Sequence, residues 1–455
     1  MSVANRVGRS IHPVIGQPYV RLVSGKGVFV TDDTGKTYLD AVAGIGVVAL
    51  GYGRDDLVDA LAQQARRLPF AQSMRFENEA AERLAERLAA FAPAGLNWSF
   101  FSNGGSEALD SAVKLVRQYW LDRGQPEKWK VIGRRPGFHG NTLMALSVGY
   151  HAGRRARYLP YITELPHLPA PWIFRCPNGD NAAGPYCDDC SGRSLAALIE
   201  AEGPETVAAF IAEPVIGAAA PAVTPPPGYY QTIRETCDRY DVLFISDEVM
   251  TGVGRTGRNF AIQHWDVVPD LMLFAKGISA GYAPLAGVVA HDRVIDVIRA
   301  GGGRYENTFT WGGNPMACAV GAATLEAIVR EEIVSGVADM EPELFGALQQ
   351  LRRHPIVGDI RGKGLMAGIE FVQPGGREPF PVAAGVTARV DQATREAGLL
   401  VYPCAGIIDG TLGDSILMVP PLVISREEIG VLVDRLDTAL GVVSRAVLAP
   451  GGSPA

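Results

Sequence analysis

Short, mostly apolar runs alternating with helix-period stretches constrain this chain more than any other feature. The runs Trp98–Phe101, Lys130–Gly133, Val207–Ala212, Val242–Ile245 and Leu271–Ala275 have strand length, and amphipathic stretches such as Ser106–Trp120 and Gly228–Tyr240 fall between them. A strand buried on both faces has no reason to alternate polar and apolar residues, so it reads as a continuous apolar run. The alternation therefore predicts an α/β fold: a mainly parallel sheet covered by helices on both faces.

The flanks read differently. Val28–Val30 and Tyr38–Asp40 bracket a turn at Asp32–Lys36, which suits a hairpin, and helical spacing follows over Arg54–Leu68 and Glu77–Phe91. A helix from Pro315 through Ile328 to Val334 bridges to Val357–Lys363, Leu365–Val372, a helix at Val386–Ala397, Leu399–Tyr402, Ile416–Val419 and a last helix at Arg426–Leu448. This α+β pattern predicts a second, smaller domain. The expected division is residues 1–60 as an N-terminal segment joining the small domain, 61–325 as the large domain and 326–455 as the small domain.

Charge narrows the partners. Forty-nine acidic residues against 42 basic give −7, which argues against nucleic acid, since phosphate backbones require a clustered cationic face. Six scattered cysteines are too few for a disulfide scaffold and point to a reducing compartment. The first residues carry no apolar core of signal-peptide length, and the longest apolar stretch, Leu271–Ala290, is interrupted by Lys276. The expectation is a soluble, cytoplasmic protein with no membrane partner.

Leu165–Gly192 is a long loop rich in Pro, Gly and Asp, and it holds Cys176, Cys187 and Cys190. Such loops are usually functional or disordered. The Cys187-x-x-Cys190 pair, a third thiol and His167 could ligate zinc; equally, the cysteines could be free thiols in a surface insertion. With no second CxxC pair, the sequence assigns no metal.

Three features could carry chemistry. Of seven lysines, Lys276 alone ends a buried apolar run, Leu271–Ala275. Partial desolvation at a strand's carboxyl end lowers an amine's pKa and makes it a usable nucleophile toward a carbonyl; the alternative is a lysine reaching out to water. The strand Val242–Ile245 leads to Ser246, Asp247 and Glu248. Ligands of open α/β sheets bind at the carboxyl ends of the strands, so Asp247 shares a rim with Lys276 and could keep a ring nitrogen protonated. A helix cap or salt bridge is its alternative role. Finally, Ser102-Asn103-Gly104-Gly105-Ser106 joins a strand to a helix and could cradle one phosphate on backbone N–H groups and the Ser106 hydroxyl, unless Ser106 simply caps the helix. No P-loop lysine follows, so a nucleoside triphosphate is not indicated. Gly252-x-Gly254-x-x-Gly257 fits a dinucleotide motif, but the next strand ends in Lys276 where that fold places an acid.

Together these residues resemble the class III, or ω-, aminotransferase family of fold type I pyridoxal-phosphate enzymes over roughly residues 20 to 440. The most specific stretch runs from Phe244 through Asp247-Glu248, Gly-Arg-Thr-Gly257 and Pro269-Asp270 to Lys276-Gly277. Asn103–Ala108, Phe138-His139-Gly140, Glu213-Pro214, Thr308–Pro315 and Pro420-Pro421-Leu422 match as well. The resemblance implies a seven-stranded-type sheet in a large domain that binds pyridoxal 5′-phosphate. It implies that Lys276 condenses with the cofactor aldehyde and later carries a proton, and that Asp247 pairs with the pyridine nitrogen. Gly105 and Ser106 would hold the phosphate, Phe138 and Val249 would pack on the two ring faces, His139 would neighbour the ring, and Glu213 would lie near the substrate. Thr310 would reach the phosphate of a partner subunit, implying a homodimer or a dimer of dimers.

Substrate follows from the departures. Relatives acting on α-amino acids carry an arginine shortly before Pro-Pro-Leu, where this chain has Ile416–Val419 with Leu417 in that place, and Ile407–Leu412 also lacks arginine. Tight carboxylate recognition needs a bidentate cation. The expected reaction is ping-pong transfer from an amine or ω-amino donor to a 2-oxo acid acceptor, with Arg255 and Arg304 available for the acceptor carboxylate and Asp409 for a second cationic group. A racemase, aminomutase or decarboxylase on the same fold, or a non-catalytic binding protein, are the alternatives.

Overall fold

A computed structural model describes residues 9–178 and 186–449. Its strands, in chain order, are β1 (Leu22–Lys26), β2 (Phe29–Asp32), β3 (Thr37–Asp40), β4 (Leu96–Ser102), β5 (Lys130–Arg135), β6 (His167–Pro169), β7 (Val207–Ala212) and β8 (Leu243–Asp247). They continue with β9 (Leu271–Phe274), β10 (Ala286–His291), β11 (Val357–Lys363), β12 (Met366–Phe371), β13 (Leu399–Leu400), β14 (Tyr402–Ala405) and β15 (Asp414–Met418).

Seven strands form the main sheet in the order β4-β10-β9-β8-β7-β5-β6. The pairs β6–β5, β5–β7, β7–β8 and β8–β9 are parallel, as the apolar runs required. Strands β7, β8 and β9 are buried at every position. Side chains alternate across the sheet. Phe210 and Phe244 pack with Tyr230 and Ile233 of the helix Tyr229–Arg239 on one face; Ile211 and Ile245 pack with Leu109, Ala112 and Val116 of the helix Gly105–Asp122 on the other. Strand β10 departs from the parallel pattern, running antiparallel to both β9 and β4. The eleven residues between β9 and β10 form only a short 3-10 turn and loop, too little for a covering helix, so the chain reverses direction.

Two four-stranded sheets accompany the main one. Strands β11-β12-β15-β14 form an antiparallel sheet. The hairpin β2–β3 pairs with β1 on one side and, through Leu39 and Leu399, in parallel with β13 on the other, so the start of the chain is tied to its C-terminal part.

Two expected elements divide. The bridging helix is two helices, Pro315–Arg330 and Ile333–Gln349, because Glu332 adopts φ +52°, outside the helical region, although the apolar pattern runs on through Ile333. Leu399–Tyr402 splits into β13 and the start of β14, which belong to different sheets. The Gly252–Gly257 motif is a packing device: Gly257 takes φ +80°, and a Cβ there would lie 3.1 Å from Ala338 of the helix Ile333–Gln349. Among the described residues, no helix is long and apolar enough to cross a membrane.

Candidate active site

A cavity of about 440 Å³ opens at the carboxyl rim of the main sheet. Its lining brings together Gly105, Ser106, Phe138, His139, Glu213, Asp247, Val249 and Lys276, eight of the nine residues expected from the sequence to contact the cofactor. They come from five separate strand ends, β4, β5, β7, β8 and β9, which is where an open α/β sheet gathers its ligand contacts.

Lys276 lies two residues past the end of β9 and has φ +50°, a left-handed conformation that costs a non-glycine residue roughly 1 kcal/mol or more. Burial pushes its amine below the ordinary lysine value, against the opposing pull of the Asp247 and Glu213 carboxylates. The amine thus gains free-base character while two anions remain near enough to stabilise its protonated form.

Asp247 ends β8 and is 3% exposed. One oxygen accepts the Val249 N–H at 3.1 Å, and the other lies 2.6 Å from His139 Nδ1. His139 is therefore a positioning partner for the carboxylate, while its Nε2 is buried without a hydrogen-bond partner. An unpaired buried nitrogen is costly, so this atom marks a place where a ligand can complete the site.

Opposite lies the turn after β4. Gly104 occupies the N-cap of the helix Gly105–Asp122, and no side chain caps it. Ser106 therefore does not cap the helix; its Oγ accepts the Asn141 N–H at 3.0 Å. First-turn N–H groups are left to face an anion, where the helix dipole also favours negative charge. Gly140, at φ +137°, closes the cradle: a Cβ there would come 2.4 Å from Ser106 Oγ. Val249 packs beside this turn against Ala108, Ala275 and Ala286.

Glu213 follows β7 and straps two loops together. Its oxygens accept the N–H groups of Phe138 at 3.0 Å and Gly217 at 2.8 Å, and burial pushes its carboxyl up. Phe138 is thereby fixed at the cavity wall. Arg154, which the sequence reading did not single out, lies over the Phe138 ring at 4.4 Å and donates to the Tyr402 hydroxyl at 3.0 Å. Among the described residues it is the cavity's only arginine and has no carboxylate partner. No local pattern marks it out from its neighbour Arg155, which pairs with Glu164.

Several expected contributors lie elsewhere. Arg255 is buried and donates to the carbonyls of Leu365 and Pro420, so it ties the glycine turn to the C-terminal part. Arg304 is exposed and pairs with Glu306 at 2.5 Å. Asp409 caps its own turn, accepting the N–H groups of Thr411 and Leu412. Leu417 is fully buried in β15. Thr310 lies on an exposed turn outside the cavity lining of its own chain. Glu248, next to Asp247, is structural: it accepts from Thr251, Ala261 and Ile262, and burial raises its carboxyl to about 7.

Comparison with known proteins supplies the wider context. The aminotransferase class-III family model matches residues 13–440. The putrescine–pyruvate aminotransferase of Pseudomonas aeruginosa is 38% identical, covering 94% of this chain and 92% of that protein. The diaminobutyrate–2-oxoglutarate transaminase of Halomonas elongata is 35% identical over 94% of this chain and 92% of that protein. Among solved structures, an (S)-enantioselective omega-transaminase from Thermomicrobium roseum superposes with a TM-score of 0.86 at 37% identity, over 94% of this chain and 93% of that one. The omega transaminase of Pseudomonas jessenii in complex with PMP gives 0.88 at 32% identity, over 96% and 97%. These relatives transfer amino groups, which disfavours the racemase, aminomutase, decarboxylase and non-catalytic alternatives. A lysine and an acid at the rim of such a sheet, with likeness along nearly the whole chain, lead to one assignment: the chain belongs to the class III aminotransferases, a pyridoxal-phosphate-dependent family.

Proposed function

We propose that this aminotransferase moves an amino group from an amine or ω-amino donor to a 2-oxo acid in ping-pong half-reactions, with pyridoxal 5′-phosphate held in the cavity described above. The observation that carries the reading is the shared cavity of Lys276, Asp247 and an uncapped helix N-terminus. The fit rests on three features: the unpaired His139 Nε2, the anion cradle closed by Gly140, and a slot walled by Phe138 and Val249.

When bound, the cofactor supplies an aldehyde that condenses with amines and an electron-poor ring that takes up the electrons of a broken C–H bond. The chain supplies placement and protons. Gly105 and Ser106 hold the phosphate through backbone N–H groups and the Ser106 hydroxyl. Asp247, oriented by His139 Nδ1, keeps a proton on the ring nitrogen by placing a fixed negative charge beside it. Lys276 Nζ is the nucleophile that would hold the cofactor's aldehyde carbon, and as a free amine it would take the proton from the donor carbon. Glu213 holds the Phe138 backbone, keeping that wall of the slot in place.

Arg154 is the group best suited to the acceptor carboxylate, being cationic, in the cavity, and committed only to a tyrosine hydroxyl and an aromatic face. Replacing it with leucine is expected to raise KM for pyruvate about 10- to 100-fold, the loss of a charge-assisted hydrogen bond, with a much smaller effect on KM for a simple amine. Steady-state kinetics with each substrate varied in turn measures the difference. Equal losses for both substrates would reject the assignment.

Donor class is tested by comparing putrescine, an ω-amino acid, a simple aromatic amine and alanine with pyruvate or 2-oxoglutarate as acceptor. Turnover of donors lacking an α-carboxylate is expected, and activity confined to α-amino acids would overturn that part. Borohydride reduction of cofactor-loaded protein, followed by peptide mass mapping, is expected to find the pyridoxyl group on Lys276. The same reading takes 61–325 as the cofactor-holding domain and 1–60 with 326–455 as the smaller one, supported by the β3–β13 pairing. It takes the exposed Thr310 turn to serve the cavity of a second copy, in a homodimer or dimer of dimers. Six cysteines with no disulfide among them suit a cytoplasmic location.

A further inference from the structure

The three thiols of the Leu165–Gly192 loop are close together. The Sγ atoms of Cys176, Cys187 and Cys190 all lie within 4.8 Å of one another, although Cys176 is eleven residues upstream of Cys187. Cys176 and Cys190 are buried and Cys187 is half-buried. The backbone around them is arranged for sulfur anions. N–H groups of Cys187 and Asn178 face the Cys176 sulfur, and the Cys190 N–H donates to Cys187 Sγ at 3.5 Å. Such N–H···S contacts orient thiolate ligands and offset their charge. The cluster is separate from the active site, since none of the three lines that cavity.

We propose that Cys176, Cys187 and Cys190 bind one Zn²⁺ ion as three thiolates, leaving the fourth tetrahedral position to water. Zinc–thiolate bonds of about 2.3 Å set tetrahedral sulfurs about 3.8 Å apart, which these side chains reach by small rotations. On binding, three S–H protons pass to solvent as three S–Zn bonds form, with no change of oxidation state. His167 is not a ligand; its Nε2 faces the Val148 carbonyl at 3.0 Å, and no fourth His, Cys, Asp or Glu joins the cluster among the described residues.

The site has a structural consequence. Arg175, adjacent to Cys176, pairs with the buried Glu370 of β12 at 2.5 Å. The guanidinium groups of Arg175 and Arg361 lie 5.4 and 5.2 Å from the Trp172 ring. Closing the thiols on a metal therefore fixes the turn that fastens this loop to the β11–β12 sheet.

The test is metal analysis of full-length, untagged protein purified without chelator. About one zinc per chain is expected, and titrating the native protein with a thiol-specific mercurial should release it as about three thiols react. Cys187→Ser and Cys176→Ser should each lower the zinc content at least about fivefold, while Cys318→Ser, in a remote core, should leave it unchanged. Reduced, metal-stripped protein given Co²⁺ should develop the visible bands of a tetrahedral thiolate site, at wavelengths beyond cofactor absorption. Failure of the wild-type protein to carry zinc or to take it up when reduced would overturn the proposal, even if a serine variant does not fold. So would full zinc content in folded Cys187→Ser, or a disulfide between two of these cysteines in metal-free protein.

Discussion

Lys276→Ala is expected to lower kcat for amino transfer by at least about 10⁴-fold, because one substitution removes the group proposed as both nucleophile and proton carrier. Among the described residues no other lysine lines the cavity. Lys128 donates to the carbonyls of Val207, Tyr240 and Asp241, Lys130 pairs with Glu202, and Lys363 pairs with Glu341. The fold should tolerate the change. The amine is already desolvated, and alanine carries the same left-handed backbone cost as lysine. Thermal unfolding should therefore occur at a similar temperature while turnover disappears. The cofactor should still be retained through the phosphate cradle, but mass mapping after borohydride should find no adduct at position 276. Added small primary amines are expected to restore part of the rate, as they can carry the proton in place of the missing side chain. A variant within tenfold of wild type would exclude Lys276 from the chemistry.

Asp247→Asn should be the second most damaging substitution, lowering kcat by about 10³-fold, the scale seen when one fixed electrostatic partner of a reacting system is removed. The amide keeps the shape and can still accept the Val249 N–H, but it no longer presents a negative charge to His139 Nδ1 or to the ring nitrogen it is proposed to face. The change should also reach Lys276. Asp247 raises the lysine pKa against the lowering effect of burial, so its neutralisation moves that pKa further down. The free-base fraction of an amine grows as pH rises through its pKa. The rate at which cofactor-free protein captures pyridoxal phosphate should therefore level off at a pH below the ordinary lysine value of 10.5 in wild type, and at a lower pH still in Asp247→Asn. A plateau displaced upward in the variant would contradict the proposed coupling between the two residues.

The strand ends explain why so much of the site was legible in the sequence. A strand buried on both faces has to be apolar throughout, and the ligand rim of a parallel sheet lies at its carboxyl ends, so Asp247 and Lys276 declare their position by ending such runs. What escaped the sequence reading depended on contacts between distant segments. Strand β10 follows β9 within one longer apolar stretch, and its reversal is decided by a short turn, not by periodicity. The break at Glu332 interrupts no apolar pattern. Arg255 looked available because it sits among glycines, yet its partners are carbonyls at positions 365 and 420. Arg154 entered the cavity unannounced because its partners, Phe138 and Tyr402, are sixteen residues before it and far beyond it in the chain. The thiols of Cys176, Cys187 and Cys190 could be counted in the sequence, but their approach to within 4.8 Å could not.

The acid at Asp247 and the amine at Lys276 hang from the adjacent strands β8 and β9, but the cradle at Gly105 hangs from β4, which joins them only when β10 is inserted between β4 and β9. A chain that stops short of that insertion has every chemical group and no binding site. Colour in the purified protein is therefore a certificate of complete assembly: a preparation that is helical by circular dichroism but stays pale with added cofactor has lost its architecture, not its chemistry.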